Sequence, residues 1–165
     1  MAKVFEYTLC FIRRDNHILM LNREKAPWQG MWNGIGGKID PGESPDTSMK
    51  REIAEEAGLN IEPVLRGCVR WNVDHARYGG MYVYTAELDI DIPYITPKKN
   101  DEGILDWKHI DWVMDPENLG IVSNIPKFLP ALFEEQHMYE HHCVYRGNQL
   151  VDYVRKQWAP NLIKG

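Results

Sequence analysis

The chain has 165 residues, 44% of them apolar and 26% charged. That is enough sequence to close one hydrophobic core without disulfides, and it excludes the disordered and fibrous classes. Nineteen Lys and Arg against 24 Asp and Glu leave a net charge of −5. This argues against coating a nucleic-acid polymer or an anionic membrane, which needs a basic face, but not against holding one small anion at a local site.

Cys10, Cys68 and Cys143 are too few and too scattered for a disulfide framework or a zinc cluster, and read as buried thiols in a reducing compartment. With no signal-peptide pattern and no apolar run of membrane-spanning length, the expected location is cytoplasmic.

Residues 4–12 alternate, with Phe5, Tyr7, Leu9 and Phe11 on one face and Glu6, Thr8 and Cys10 on the other, which predicts a strand. A turn at 13–16 and a second strand at 17–23 follow. Residues 24–31, with Pro27 and Gly30, read as a loop, and 32–36 as a short strand entering a Gly-Gly pair. A helix starts at Ser44, an N-cap followed by Pro45 and Asp46, and stops at Gly58. Residues 61–73 are extended, and Tyr78-Gly79-Gly80-Met81 predicts a two-residue hairpin turn into a strand over 81–89. A Pro-rich loop at 93–103 leads to a strand over 106–113. A second helix is expected over 123–138, capped by Ser123 or Asn124 and bent or split by Pro130. Residues 142–155 form a hairpin turning at Gly147-Asn148. The order predicts an α+β chain, with 1–165 as a single domain.

The first helix carries a core stripe of Met49, Ile53 and Ala57, joined by Ala54. Glu52, Glu55 and Glu56 fall on a separate arc. Glu52 and Glu56 are i,i+4 neighbours that repel, and all three acids sit toward the helix C-terminus, where the dipole disfavours negative charge. One reading is a solvated acidic face with an Arg51–Glu55 pair. The other is a divalent cation: hard Mg²⁺ takes carboxylate oxygens and keeps waters that bridge to a phosphate. Just before the helix, Asn33-Gly34-Ile35-Gly36-Gly37-Lys38 is either a tight turn or a backbone that lets a ligand approach closely.

From Gly37 the chain runs five residues to Glu43 and seven more to Arg51-Glu52-Ile53-Ala54-Glu55-Glu56-Ala57-Gly58-Leu59. This run resembles the Nudix box at every fixed position over residues 37–59. The resemblance implies an α/β/α sandwich around a mixed sheet for about residues 3–138. Residues 139–165 would then be a C-terminal hairpin extension, packing over the base pocket or between two copies of the chain. It also implies hydrolysis of a nucleoside diphosphate linked to another moiety, with Mg²⁺ or Mn²⁺. Carried over residue by residue, Glu52, Glu55, Glu56 and the Gly36 carbonyl are the implied metal ligands, with Glu43 and Arg51 as supports. Glu52 is the first candidate for the base. Glu102 is similar to a loop glutamate that some members use as ligand or base; otherwise it is an exposed loop acid. Arg23 and Lys38 are the candidates for covering the phosphates.

Tyr7-Thr8-Leu9 and the run from Trp32 to Lys38 resemble the MutT-type branch, the 8-oxo-dGTP diphosphatases that clean the nucleotide pool. That branch implies a nucleoside monophosphate and pyrophosphate as products. It also implies that Asn33 and Asn124 read the base edge, an amide offering a donor and an acceptor side by side. Thr8, Leu9 and Met81 would line the pocket. For Asn124 the alternative is the helix cap. The branch's stacking tryptophan, two residues before that amide, is Val122 here, which leaves Trp28 or Met81 to supply an apolar face. ADP-ribose, a dinucleoside polyphosphate and an ordinary dNTP are the alternative substrates. A non-catalytic nucleotide-sensing module would be expected to lose box carboxylates, and none is lost. Glu140-His141-His142-Cys143 hints at a metal, but neighbours on a strand face opposite ways.

Overall fold

The computed structural model describes residues 5–134 and 136–160. In chain order the elements are β1 (Tyr7–Arg14), β2 (His17–Arg23), β3 (Trp32–Asn33), β4 (Ile35–Lys38), α1 (Pro45–Ala57), β5 (Val64–Val73), β6 (Arg77–Glu87), β7 (Lys98–Lys99), β8 (Gly103–His109), α2 (Ile110–Met114), α3 (Ile125–Leu132), β9 (Tyr139–Arg146) and β10 (Gln149–Gln157). The strands join in one mixed sheet, in the order β10-β9-β5-β6-β1-β2-β8-β7, with β3 paired to β2 and β4 to β1. β1 runs parallel to β6, and β9 runs parallel to β5.

Central β1 is covered on both faces. Cys10 and Ile12 join Leu19, Leu21, Tyr82 and Tyr84 beneath Met49, Ile53 and Ala57 of α1. Leu9 and Phe11 join Ile18, Met20 and Val83 beneath Ile125, Phe128 and Leu129 of α3. The mixed helix–sheet–helix layering follows from these two apolar faces. The predicted alternation holds from Tyr7 onward. Phe5 precedes the strand, where its parity does not apply, and stacks edge-on against Tyr82 on the α1 side, with centroids 5.1 Å apart. Val4 lies outside the described residues. The α1 stripe is as expected except for Ala54, which is exposed.

α1 has the expected ends. The Ser44 hydroxyl accepts the Thr47 N–H at 3.1 Å, a cap worth about 1 kcal/mol. Gly58 turns left-handed at φ 69° and donates its N–H to the Ala54 carbonyl.

Several boundaries differ from the sequence expectation. The β5–β6 turn is at 74–76, not at Gly79-Gly80. Asp74 and His75 take positive φ (56° and 53°), residue types that tolerate it, and the Asn72 side chain accepts the His75 N–H at 2.8 Å. Gly79 and Gly80 serve packing instead. A Cβ on Gly79 would lie 2.5 Å from the Trp71 indole, and one on Gly80 would lie 2.4 Å from the Phe5 ring. The strand expected at 32–36 is two strands parted at Gly34, one paired to β2 and one to β1. The strand expected over 106–113 ends at His109, whose ring accepts the Asp111 N–H at 3.1 Å and starts α2. The long helix expected over 123–138 is only α3. α3 runs through Pro130 unsplit and ends two residues later, where the Phe133 N–H donates to the Pro130 carbonyl. Asn124 stands at the cap position but makes no side-chain cap bond.

The expected C-terminal hairpin is present, and it adds two strands to the sheet beside β5. Among the described residues no helix is long and apolar enough to cross a membrane.

Candidate active site

The box residues meet where β4, pinned to β1, faces the side of α1. Arg51 binds both oxygens of Glu43, through Nε at 2.6 Å and a terminal nitrogen at 2.9 Å. Its other terminal nitrogen reaches Glu52 at 2.9 Å and Glu55 at 3.2 Å, while the one on Glu43 also donates to the Lys38 carbonyl at 3.3 Å. Glu43 in turn accepts the Asp40 N–H. One guanidinium thus ties the loop before α1 to the helix and to the end of β4. The same fork holds the Glu43 carboxyl down to about 2.

Glu52 and Glu56 lie side by side on α1. Glu56 is only 8% exposed, and one of its oxygens has no hydrogen-bond partner. Burial, then contact with Glu52, then the charge of Glu102 push the Glu56 carboxyl up to about 9, while the Gly36 N–H acts the other way. Gly37 leaves room for the Glu52 carboxylate: a Cβ would lie 2.7 Å from Glu52 Oε1 and would push that side chain aside. Glu55 is exposed and turned to Arg51. Among the described residues no three His, Cys, Asp or Glu side chains already ring an ion. What the structure assembles is a buried acid, Glu56, beside half-buried Glu52, with the charge of a third acid acting on them.

That third acid comes from the loop between β7 and β8. From before β7 the Tyr94 hydroxyl donates to the Ala57 carbonyl at 2.6 Å, and from the loop itself Asn100 Nδ2 donates to the Glu56 carbonyl at 2.8 Å. The Glu102 carbonyl accepts the Glu24 N–H at 2.9 Å. The loop therefore joins the C-terminus of α1 to the chain leaving β2.

The other face of the sheet carries the pocket candidates. Leu9, Met81, Trp28 and Val122 share one apolar cluster with Trp71 and Trp32. Thr8 is buried, with its hydroxyl unpartnered, but it pairs with Gly37 and Tyr82 and so faces the α1 side, away from Leu9. The Asn33 side chain accepts the Gly34 N–H at 2.8 Å. The Trp32 backbone holds Gly120 and Val122, drawing the segment before Asn124 toward β3. Asn124 itself is buried, against the Cys143 thiol and the Tyr145 hydroxyl of β9. Arg23 spends its Nε on the Pro27 carbonyl, and Lys38 is exposed.

A NUDIX domain model matches residues 6–138. The chain belongs to the NUDIX domain family. This Nudix hydrolase is 27% identical over 109 residues to the oxidized purine nucleoside triphosphate hydrolase of Mus musculus, a match spanning 65% of this chain and 67% of that one. It is 30% identical over 134 residues to the uncharacterized Nudix hydrolase YvcI of Bacillus subtilis, across 78% and 79% of the two chains. Other curated relatives are matched over 16–43% of their own length. Its fold resembles that of a MutT protein from Bacillus halodurans, with a TM-score of 0.72 at 22% identity, covering 93% of this chain and 98% of that one.

Divalent metals are general in Nudix hydrolases, and the residues of this one fit such an ion. The donors are hard carboxylate oxygens, buried Glu56 neighbours half-buried Glu52 on the helix, and one buried oxygen is orphaned. Sequence reading missed Asn100, Tyr94 and the β9 contacts of Asn124. An Asx-turn signal, Asn100-Asp101-Glu102-Gly103, was visible for the first. The other two depend on chain segments remote in sequence. The strand rule for Glu140 to Cys143 holds: Glu140 and His142 pair on one face at 2.6 Å, while His141 and Cys143 pack on the other.

Proposed function

We propose that this Nudix hydrolase cleaves an oxidised purine nucleoside triphosphate, of the 8-oxo-dGTP kind, to the monophosphate and pyrophosphate, using Mg²⁺ or Mn²⁺. The observation that carries the reading is the buried Glu56 carboxyl, with one orphaned oxygen, set against Glu52 beside Gly36-Gly37. A buried carboxyl with an orphaned oxygen, beside a second acid already paired with Arg51, calls for a cation or a proton of its own. A bound divalent ion supplies Lewis-acid charge to the polyphosphate and to water.

Glu52, Glu55, Glu56 and the Gly36 carbonyl are the proposed holders of that ion, with Glu102 beside them. Glu52 is the proposed base. It accepts a proton from the attacking water as the water oxygen bonds to phosphorus and the bridging anhydride oxygen leaves. Arg51 and Glu43 keep helix and loop in one geometry. Lys38 is the first choice for covering the phosphates, since Arg23 is partly committed to Pro27. Residues 139–157 belong to the same catalytic unit, a reading supported by the direct pairing of β9 with β5.

Purine selectivity is supported by the amides of Asn33 and Asn124, by the Leu9 and Met81 surface, and by what the mouse relative is named for. Val122 favours a second reading, another nucleoside diphosphate derivative such as ADP-ribose or a dinucleoside polyphosphate, because it offers no aromatic face to a base.

The deciding experiment measures kcat/KM with Mg²⁺ for 8-oxo-dGTP, dGTP, ADP-ribose and diadenosine tetraphosphate, with products identified. Preference for 8-oxo-dGTP over dGTP, lost in Asn124→Ala, is expected; equal rates for the two purines would remove the oxidised-purine assignment.

A further inference from the structure

The last turn of α1 holds no lysine or arginine to meet its carbonyls. Two side chains from either side of β7 do so instead: Tyr94 at Ala57 and Asn100 at Glu56. Asn100 also does something Tyr94 does not. Its Oδ1 accepts the N–H groups of Glu102 at 2.8 Å and Gly103 at 2.9 Å, and its own N–H donates to the Gly103 carbonyl at 2.9 Å. Both ends of one half-buried amide are thus in use. One end closes the turn that presents Glu102. The other holds that turn against the peptide of Glu56. Gly103 makes the close fit possible, since a Cβ there would fall 1.8 Å from the Asn22 carbonyl oxygen.

We propose that Asn100 is a positioning residue that sets the separation of the Glu102 and Glu56 carboxyls, and through it the geometry of the ion site. This rests on the reading of Glu56 and Glu102 as parts of that site. Contacts that orient ligands from outside typically change metal affinity or activity by about 10–100-fold.

The test compares Asn100→Ala, which removes both ends of the clamp, with Asn100→Ser. A serine can keep a local turn, but its short side chain cannot reach the Glu56 carbonyl. Mn²⁺ binding is followed by the loss of the free ion's paramagnetic resonance signal. With Mg²⁺, kcat and KM for the triphosphate are measured separately. Both variants are expected to weaken Mn²⁺ binding and lower kcat by about 10-fold or more, with KM for the nucleotide nearly unchanged. Tyr94→Phe, which removes the neighbouring helix-end bond without touching the Glu102 turn, should lower the thermal midpoint while keeping Mn²⁺ affinity and kcat.

In a Glu102→Gln background, Asn100→Ser should add no further loss, because Asn100 acts through Glu102. Wild-type Mn²⁺ affinity in Asn100→Ser, or losses that simply add to those of Glu102→Gln, would overturn the proposal and leave the site assignment standing. Wild-type Mn²⁺ affinity and kcat in Glu102→Gln would instead overturn the assignment of Glu102, and the proposal with it.

Discussion

Arg51 holds Glu43 by both carboxylate oxygens, across a stretch of chain that includes the helix start at Pro45. The fork is geometric as much as electrostatic. Lysine keeps the charge but offers a single point donor. Arg51→Lys should therefore cost about 1–3 kcal/mol of stability by chemical unfolding. It should lower kcat/KM by at least about 10-fold, because the end of β4 at Lys38 and Glu52 lose their common anchor.

Gly37→Ala addresses Glu52 directly. The added methyl group would meet the carboxylate end of a side chain, not backbone, so the fold can absorb it. The thermal midpoint should move by only a few degrees. The carboxylate must shift, however, and a displacement of about 1 Å at a reacting group can cost about 100-fold in rate. Unchanged kcat in a folded Gly37→Ala enzyme would contradict the proposed role of Glu52.

Glu56→Gln separates fold from chemistry. Gln removes a carboxyl that burial and Glu52 both disfavour as a charge, so the metal-free variant should be no less stable than wild type. An ion present at 100 times its Kd stabilises a folded protein by about 2.7 kcal/mol. Thermal scans in chelator and in Mn²⁺ should show that gain for the wild type and its loss in the variant, together with a loss of activity of about 100-fold or more.

His141 gives the hairpin a pH response. Its ring is fully buried, stacked on Tyr153 and bonded to that hydroxyl, with its other nitrogen unpartnered. Burial, helped by the charges of Arg155 and His142, holds the ring down to about 4. Above the unfolded value near 6.5 neither state binds the proton, and the stability is fully present. As pH falls from there toward about 4, only the unfolded state binds it, and up to about 3 kcal/mol is lost. Unfolding midpoints of wild type and His141→Phe across pH 4–7 should show this slope in the first and a flatter one in the second.

The box spacing, the two ends of α1 and the stripe of Met49, Ile53 and Ala57 could all be read from the chain alone. Each depends on residues within a few turns of one another: Ser44 caps Thr47, Gly58 closes on Ala54, and the acids recur at helical spacing. Other features could not be read this way. Gly79-Gly80 looks like a turn until Trp71 and Phe5 are seen lying against it. Asn124 offers a cap or a base reader from its position, yet β9 brings Cys143 and Tyr145 to its amide. Helical spacing sets Glu56 about 20° from Met49 and Glu55 about 120° from it, but spacing alone does not say how far either acid leaves water. What makes one buried and the other exposed is the packing of α1 on β1 and β4 and of the Asn100 loop on its end. Local spacing is enough to define a helix and a motif. Only strands and loops far apart in the chain decide which of its carboxylates leaves water, because desolvation depends on everything packed around the group.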